Sequence, residues 1–257
     1  MTGKAMTCLF SPEGSSELRN FISNSTLYAF DLDGTLAPIV ADPANIAIPA
    51  DVRSRLMALQ QIAPVAIITG RSRADALTHL GFVPDFLAGN HGAEGLPGCE
   101  ELEDDYVRLC GGWKKQLHEL LPDPSVSGIF LEYKGATLTL HYRNAANREH
   151  AHTEILNAIS RLAPPPRTCS GKFVENIVPI TAPHKGTAIL SIMEHLGYSR
   201  ALFVGDDVTD EDVFGLEDNR ILGIRVGMSS ASAAAYYLHS QGEIVVLLDR
   251  IMEAITA

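Results

Sequence analysis

The feature that most limits what this chain can become is a set of short apolar runs, each stopping on a polar residue or a glycine. Leu27 to Phe30 ends at Asp31, Val65 to Ile68 ends at Thr69, and Ala201 to Val204 ends at Gly205-Asp206. Runs of this length with no polar alternation are the pattern of strands buried on both faces, as in a parallel sheet covered by helices. Between the first two, Val52, Leu56, Leu59 and Ile62 recur at helical spacing over Ala50–Ile62, so the opening reads strand, loop, helix, strand. The alternation continues with a helix over Ser72–Leu80 and a strand at Phe86–Ala88 that runs into Gly89-Asn90-His91-Gly92. It resumes with a helix from Lys185 through Leu196, the strand Ala201–Val204, and further strands at Ile221–Val226 and Ile244–Leu248.

The middle of the chain has another texture. Trp113–Leu121 and Arg148–Leu162 read as helices, Ile129–Tyr142 as an antiparallel pair around Lys134-Gly135, and Gly171–Ile180 as two short strands. The Pro164-Pro165-Pro166 run forbids helix continuation, and Pro179 and Pro183 bracket a return linker. The expected fold is therefore α/β: a Rossmann-like parallel-sheet core in two parts, residues 1–105 and 183–257, with an α+β module inserted at 106–182.

Charge narrows the partners. Thirty-one acidic residues against 20 Lys and Arg leave a net charge of −11, which disfavours binding to nucleic acid or to an anionic membrane. A phosphate-bearing ligand would then need locally placed cations. Cys8, Cys99, Cys110 and Cys169 are scattered with no CxxC pair, so neither a disulfide framework nor a zinc site is indicated. No apolar run reaches the roughly 18 residues of a membrane span, and no signal-peptide core precedes the polar Ser11–Asn20 stretch. The expected compartment is the cytoplasm, where the sequon at Asn24-Ser25-Thr26 is a chance match. A monomer is expected.

The strand ends carry the chemistry. Asp31 and Asp33 sit two apart just past a strand, where ligands gather in parallel α/β sheets, and Gly34 lets the chain turn behind them. A carboxylate is already anionic at neutral pH, so Asp31 can attack phosphorus without a base; Asp33 can protonate a leaving oxygen and later deprotonate water. The bland alternative for two such acids is a calcium-like loop or a solvated turn. Thr69-Gly70-Arg71 offers a hydroxyl and backbone N–H groups to phosphate oxygens, though alone it is an ordinary turn. Lys185 opens a helix, where a fixed ammonium could neutralise phosphate and orient Asp31. Asp206, Asp207, Asp210, Glu211 and Asp212 crowd the end of another strand, a costly concentration of like charge unless a cation is present. Magnesium fits that need, with Asp206 the first choice of ligand and Asp207 and Asp210 holding metal waters or Lys185. Glu211 and Asp212 read as the acidic start of a helix.

These four pieces, in this order, resemble the signatures of the haloacid dehalogenase-like superfamily. The resemblance implies that Asp31 is nucleophile and metal ligand, that Asp33 is acid/base and lends its backbone carbonyl to Mg2+, and that an inserted cap of the C2 type reads the leaving group. More narrowly, residues 28–248 resemble trehalose-6-phosphate phosphatases. The matching strings are DLDGTLAPI from Asp31, ITGR from Ile68, GNHGAE from Gly89, LEYKGATLTLHYR from Leu131, GKFVENIVP from Gly171 and LFVGDDVTDEDVF from Leu202. By that likeness Glu132, Lys134 and Glu175 hold sugar hydroxyls, groups to which a carboxylate or an ammonium can bond. The bland reading of Glu132 and Lys134 is a surface ion pair. His141 and Arg143 alternate as on one strand face and are either structural or near phosphate. Asn90 and His91 are either a satisfied loop or substrate contacts. Leu32 stands where the family often has Tyr or Phe, and Thr69 where it often has Ser. The implied activity is hydrolysis of trehalose 6-phosphate; the competing readings are a phosphatase for sucrose phosphate or mannosyl-phosphoglycerate, and a non-catalytic sugar-phosphate sensor.

Overall fold

The computed structural model describes residues 6–40, 42–171 and 173–256. In chain order the elements are β1 (Thr7–Cys8), α1 (Pro12–Phe21), β2 (Thr26–Phe30), α2 (Ala50–Gln60), β3 (Val65–Ile68), α3 (Arg73–Leu80), β4 (Phe86–Ala88), α4 (Glu100–Leu120), α5 (Pro124–Ser127) and β5 (Phe130–Tyr133). They continue with β6 (Leu138–His141), α6 (Arg148–Ile159), β7 (Arg167–Gly171), β8 (Val174–Val178), α7 (Lys185–Leu196), β9 (Arg200–Gly205), α8 (Glu211–Phe214), β10 (Ile221–Val226), β11 (Tyr236–Leu238) and α9 (Ile244–Thr256). No helix of the described residues is long and apolar enough to cross a membrane.

The chain forms two compact units, residues 1–92 with 183–257 and residues 93–182. The first is built on a seven-stranded sheet in the order β1-β11-β10-β9-β2-β3-β4, and every pairing in it is parallel. Every residue of β2 is fully buried, as is every residue of β3, which is why neither run carries a polar alternation. Local chemistry sets the helix ends. Ser72 caps α3 by accepting from the Asp75 N–H at 3.2 Å, and Gly81 and Gly197 end α3 and α7 in the left-handed conformation that a glycine adopts without strain.

The second unit is a four-stranded antiparallel sheet, β5-β6-β8-β7. One face packs on α4 and α6: Cys110, Trp113 and Leu117 from the first and Ala151 and Ile155 from the second join Leu138, Leu140 and Ile177 of the sheet in one core. Trp113 donates its indole N–H to the Pro164 carbonyl at 2.7 Å, satisfying the single polar group of the largest buried side chain.

Two expectations need correction. Ile244–Leu248 is not a strand but the first turns of α9, whose buried positions 244, 247, 248 and 251 follow the helical period. Five consecutive apolar residues fit either structure, and only the continuation to Ile251 separates them. The last strands of the sheet are instead the short β11 and the edge strand β1. The first core segment ends at Gly92 rather than residue 105, because Glu100–Leu120 is one continuous helix whose Tyr106 packs with Ala93, Ala136, Val178 and Ala182.

Phe203 lies fully buried on β9, with its ring 5.8 Å from that of Phe214. Phe203→Ala should lower unfolding free energy by about 3–5 kcal/mol, measured by urea denaturation. A loss below about 1 kcal/mol would mean that this layer is not tightly packed.

Candidate active site

The chain just past β2 and β9 and the first residue of α7 bring four of the sequence-predicted groups together: Asp31, Asp206, Asp210 and Lys185. Asp31 follows β2 directly; its backbone N–H donates to the Val204 carbonyl at 2.9 Å, which pins it beside the end of β9. Its carboxylate is buried and accepts from Lys185 Nζ at 2.6 Å. The same ammonium donates to Asp210 Oδ1 at 2.7 Å, and Asp210 Oδ2 accepts the backbone N–H groups of Asp206 and Asp207 at 2.8 Å each. Asp210 therefore holds the loop after β9 and anchors Lys185 at once.

Oxygens of Asp31, Asp206 and Asp210 all lie within 4.8 Å of one another. The charge is unbalanced, three carboxylates against one ammonium. Burial works against the charged form of Lys185, but the Asp210 and Asp31 carboxylates outweigh it and raise its pKa, so Lys185 stays protonated. Burial, with the neighbouring Asp210 and Asp206 charges, holds Asp31 well above the usual carboxylate range despite Lys185. Burial and the Asp210 charge push Asp206 up to about 7, against a hydrogen bond from Thr35 Oγ1 at 3.1 Å. Hard oxygen donors in excess of the available positive charge fit a small divalent cation.

Close backbone approach makes this packing possible. Gly34 has φ +88, and a Cβ there would lie 2.2 Å from an oxygen of Asp206, so only glycine satisfies both the turn and the contact. A Cβ on Gly205 would meet Asp210 at 2.3 Å.

Thr69 is fully buried at the end of β3, its hydroxyl accepting from the Arg71 N–H at 3.2 Å. Asn90 and His91 both adopt left-handed backbone; their N–H groups donate to the Arg71 and Thr69 carbonyls at 2.7 and 2.9 Å, and the His91 ring stands against Gly70. Thr69, Gly70, Arg71, Asn90 and His91 thus form one small assembly. Asp33 is turned toward Arg71, which grips both of its oxygens. Asp207 is exposed and stands outside the carboxylate cluster. Glu211 binds Arg225 at 2.9 Å and the Ala233 N–H at 2.8 Å, a bracing role at the start of α8.

In the second unit, Glu132 Oε2 accepts from His141 Nε2 at 2.7 Å, with Lys134 Nζ 3.6 Å away. Burial opposes the Glu132 charge, but His141 and Lys134 prevail and hold its pKa below the ordinary value. Glu175 is not on this face. The register pairs Leu140 with Glu175 and Thr139 with both Glu132 and Asn176, so Glu132, Thr139 and Asn176 form one row while Glu175 points to the helix-covered side. There Glu175 is 1% exposed, with His152 Nε2 at 2.8 Å and a bond from Ser170 Oγ at 3.0 Å. Asn176, bonded to Thr139 at 2.8 Å, holds the place that sequence reasoning gave to its neighbour. Strand periodicity counted from Val174 would have separated the two. Arg143 lies beyond the end of β6 in an exposed turn, so it does not continue the strand alternation with His141.

The sequence matches the family model described as trehalose-phosphatase over residues 29–240. It is 32% identical over 246 residues to the trehalose-6-phosphate phosphatase of Escherichia coli K12, covering 91% of this chain and 89% of that one. The chain spans about 60% of the length of the mycobacterial trehalose-phosphate phosphatases that it also matches. Among solved structures, the C-terminal domain of a Candida albicans trehalose-6-phosphate phosphatase aligns with TM-score 0.69 at 22% identity over 98% of this chain and 99% of that one. A haloacid dehalogenase-like hydrolase from Bacteroides thetaiotaomicron aligns with TM-score 0.60 at 16% identity over 88% of this chain and 99% of that one. The two structural likenesses give the fold, a haloacid dehalogenase-like α/β core; the sequence match over residues 29–240 gives the narrower assignment, that the chain belongs to the trehalose-phosphatase family.

Proposed function

We propose that this chain hydrolyses trehalose 6-phosphate to trehalose and phosphate through a phosphorylated Asp31. The observation that carries the reading is the buried Asp31–Lys185–Asp210 arrangement with Asp206 alongside. Lys185 fixes the Asp31 carboxylate for attack and offsets the charge arriving with a phosphoryl group. Asp33 gives a proton to the departing sugar oxygen and then takes one from the water that cleaves the acyl phosphate. The Thr69 hydroxyl, which accepts from the Arg71 N–H, donates to a phosphate oxygen.

Asp31 and Asp206 would hold a magnesium ion together with the backbone carbonyl of Asp33, since Asp210 is already committed to Lys185 and the loop. When bound, magnesium supplies positive charge to the transferring phosphoryl group. Glu132, Lys134 and Asn176 bond to sugar hydroxyls, which favours a disaccharide phosphate over a small one. The same reading has the protein act as a cytoplasmic monomer on a small sugar phosphate, with no nucleic-acid or membrane partner, in keeping with its acidic charge.

Purified protein with Mg2+ should release phosphate from trehalose 6-phosphate in preference to sucrose 6-phosphate, glucose 6-phosphate and mannosyl-phosphoglycerate. A chelator should stop it, and Asp31→Asn should reduce turnover by about a thousandfold or more. Preference for another sugar would overturn the assignment of substrate but not of chemistry; near-normal turnover by Asp31→Asn would remove the nucleophile.

Glu132→Ala and Asn176→Ala should each raise KM for trehalose 6-phosphate by about tenfold, the worth of a lost hydrogen bond to a bound polar group, and leave KM for p-nitrophenyl phosphate unchanged. Equal effects on both substrates would take these residues out of sugar recognition.

Metal binding should also show in stability. With Asp206 raised from 3.8 to about 7, the metal-free folded state binds a proton that the unfolded chain releases, so stability falls as pH rises between those values. The gain in Tm on adding Mg2+ should therefore be larger above that window than below it, by calorimetry. A gain independent of pH would place the ion elsewhere.

A further inference from the structure

The Arg71 guanidinium is engaged with carboxylates. Nε donates to Asp33 Oδ2 and Nη2 to Asp33 Oδ1, both at 2.7 Å, a parallel fork on both oxygens of one carboxylate. Nη1 donates to Asp75 Oδ2, also at 2.7 Å. Asp75 lies in the first turn of α3, where Ser72 caps the helix and His79 stands 3.5 Å from its other oxygen. The Arg71 backbone is tied at both ends, its N–H to the Thr69 hydroxyl and its carbonyl to the Asn90 N–H. Burial opposes the charge on Arg71, and the bonds and charges of Asp33 and Asp75 overcome it, so the guanidinium is held firmly in its cationic form.

The Asp33 backbone is bridged to Ala37, whereas its carboxylate is held by Arg71. Its side chain is 39% exposed, against 12% for Arg71, and it sits on the turn that Gly34 opens. A carboxylate on an exposed turn has several rotamers, and the fork selects one.

We infer that Arg71 is the positioning residue for Asp33, orienting its carboxylate as the base for the second half of the reaction. The inference rests on the aspartyl-phosphate reading above. In that half, the water oxygen forms a bond to phosphorus as Asp33 takes the water proton. The bond from phosphorus to the Asp31 oxygen breaks with its electron pair returning to Asp31, and phosphate leaves. In the first half, an aryl phosphate needs no proton for its leaving group, so p-nitrophenyl phosphate isolates the step that Arg71 serves.

The test is stopped-flow release of nitrophenol by the full chain with Mg2+. Arg71→Ala should lower steady-state kcat by about tenfold or more and produce a burst of about one nitrophenol per active site, because phosphorylation proceeds while hydrolysis lags. Arg71→Lys keeps the charge but cannot form the fork, so it should bring KM toward the wild-type value without restoring kcat, and it serves if the alanine variant does not fold. Asp33→Asn should give the same burst. A raised KM with no burst in either variant would make Arg71 a phosphate ligand only, and unchanged kinetics would make the fork a static surface pair; each overturns the inference while leaving the phosphatase reading intact. A wild-type chain that releases no nitrophenol, or an Asp31→Asn chain that turns over normally, would remove that reading and this inference with it.

Discussion

One buried ammonium facing three carboxylates is the constraint on which the rest of the core depends. Lys185 is 2% exposed, and a lone charge at that depth would lose its proton rather than stay unsolvated. It is retained because Asp31 and Asp210 receive it at 2.6 and 2.7 Å. Those two acids are themselves set by backbone: Asp31 through the Val204 carbonyl, Asp210 through the N–H groups of Asp206 and Asp207. Removing Lys185 would leave buried carboxylates facing one another with no counter-charge, a strongly destabilising change.

A parallel sheet is well suited to collecting these groups. All its strands end on one edge, so residues 31, 69 and 206, far apart in the chain, become neighbours when β9, β2 and β3 pair in register. The cost is that backbone and side chains crowd together where strands stand under about 5 Å apart. Glycine meets it twice: Gly34 against Asp206, and Gly205 against Asp210. The glycine in the DLDGTL string is therefore a contact requirement as much as a turn signal.

The core site was legible for a physical reason. Asp31 and Asp206 follow the apolar runs that form β2 and β9, and so many acids near strand ends concentrate like charge at a cost that calls for a counter-ion. Pairings between distant residues were not legible. Nothing local to Arg71 reveals that its fork closes on Asp33, 38 residues away, because that contact depends on the spacing of β2 and β3. Ile244–Leu248 reads as a strand for a different reason: five apolar residues satisfy strand and helix equally, and burial of Ile251 decides for the helix. Glu175 and Asn176 differ by a single position, and in a strand one position exchanges the two faces.

That exchange explains why like residue types do opposite work in the second unit. Glu175 faces α6, where its oxygens are taken by His152 and Ser170 and Tyr142 stacks on the same imidazole at 5.1 Å. Every acceptor there is used internally, as burial demands. On the other face, Glu132 is half-buried and keeps Lys134 at 3.6 Å, a separation at which the ammonium can turn to another acceptor. The pleat therefore puts Glu175 on the helix-covered face and Glu132, Thr139 and Asn176 on the other, where Asn176 bonds Thr139 and the Cys169 carbonyl. Residue type does not decide which face a side chain takes. The register does, and matching motifs without counting strand positions does not separate Glu175 from Asn176.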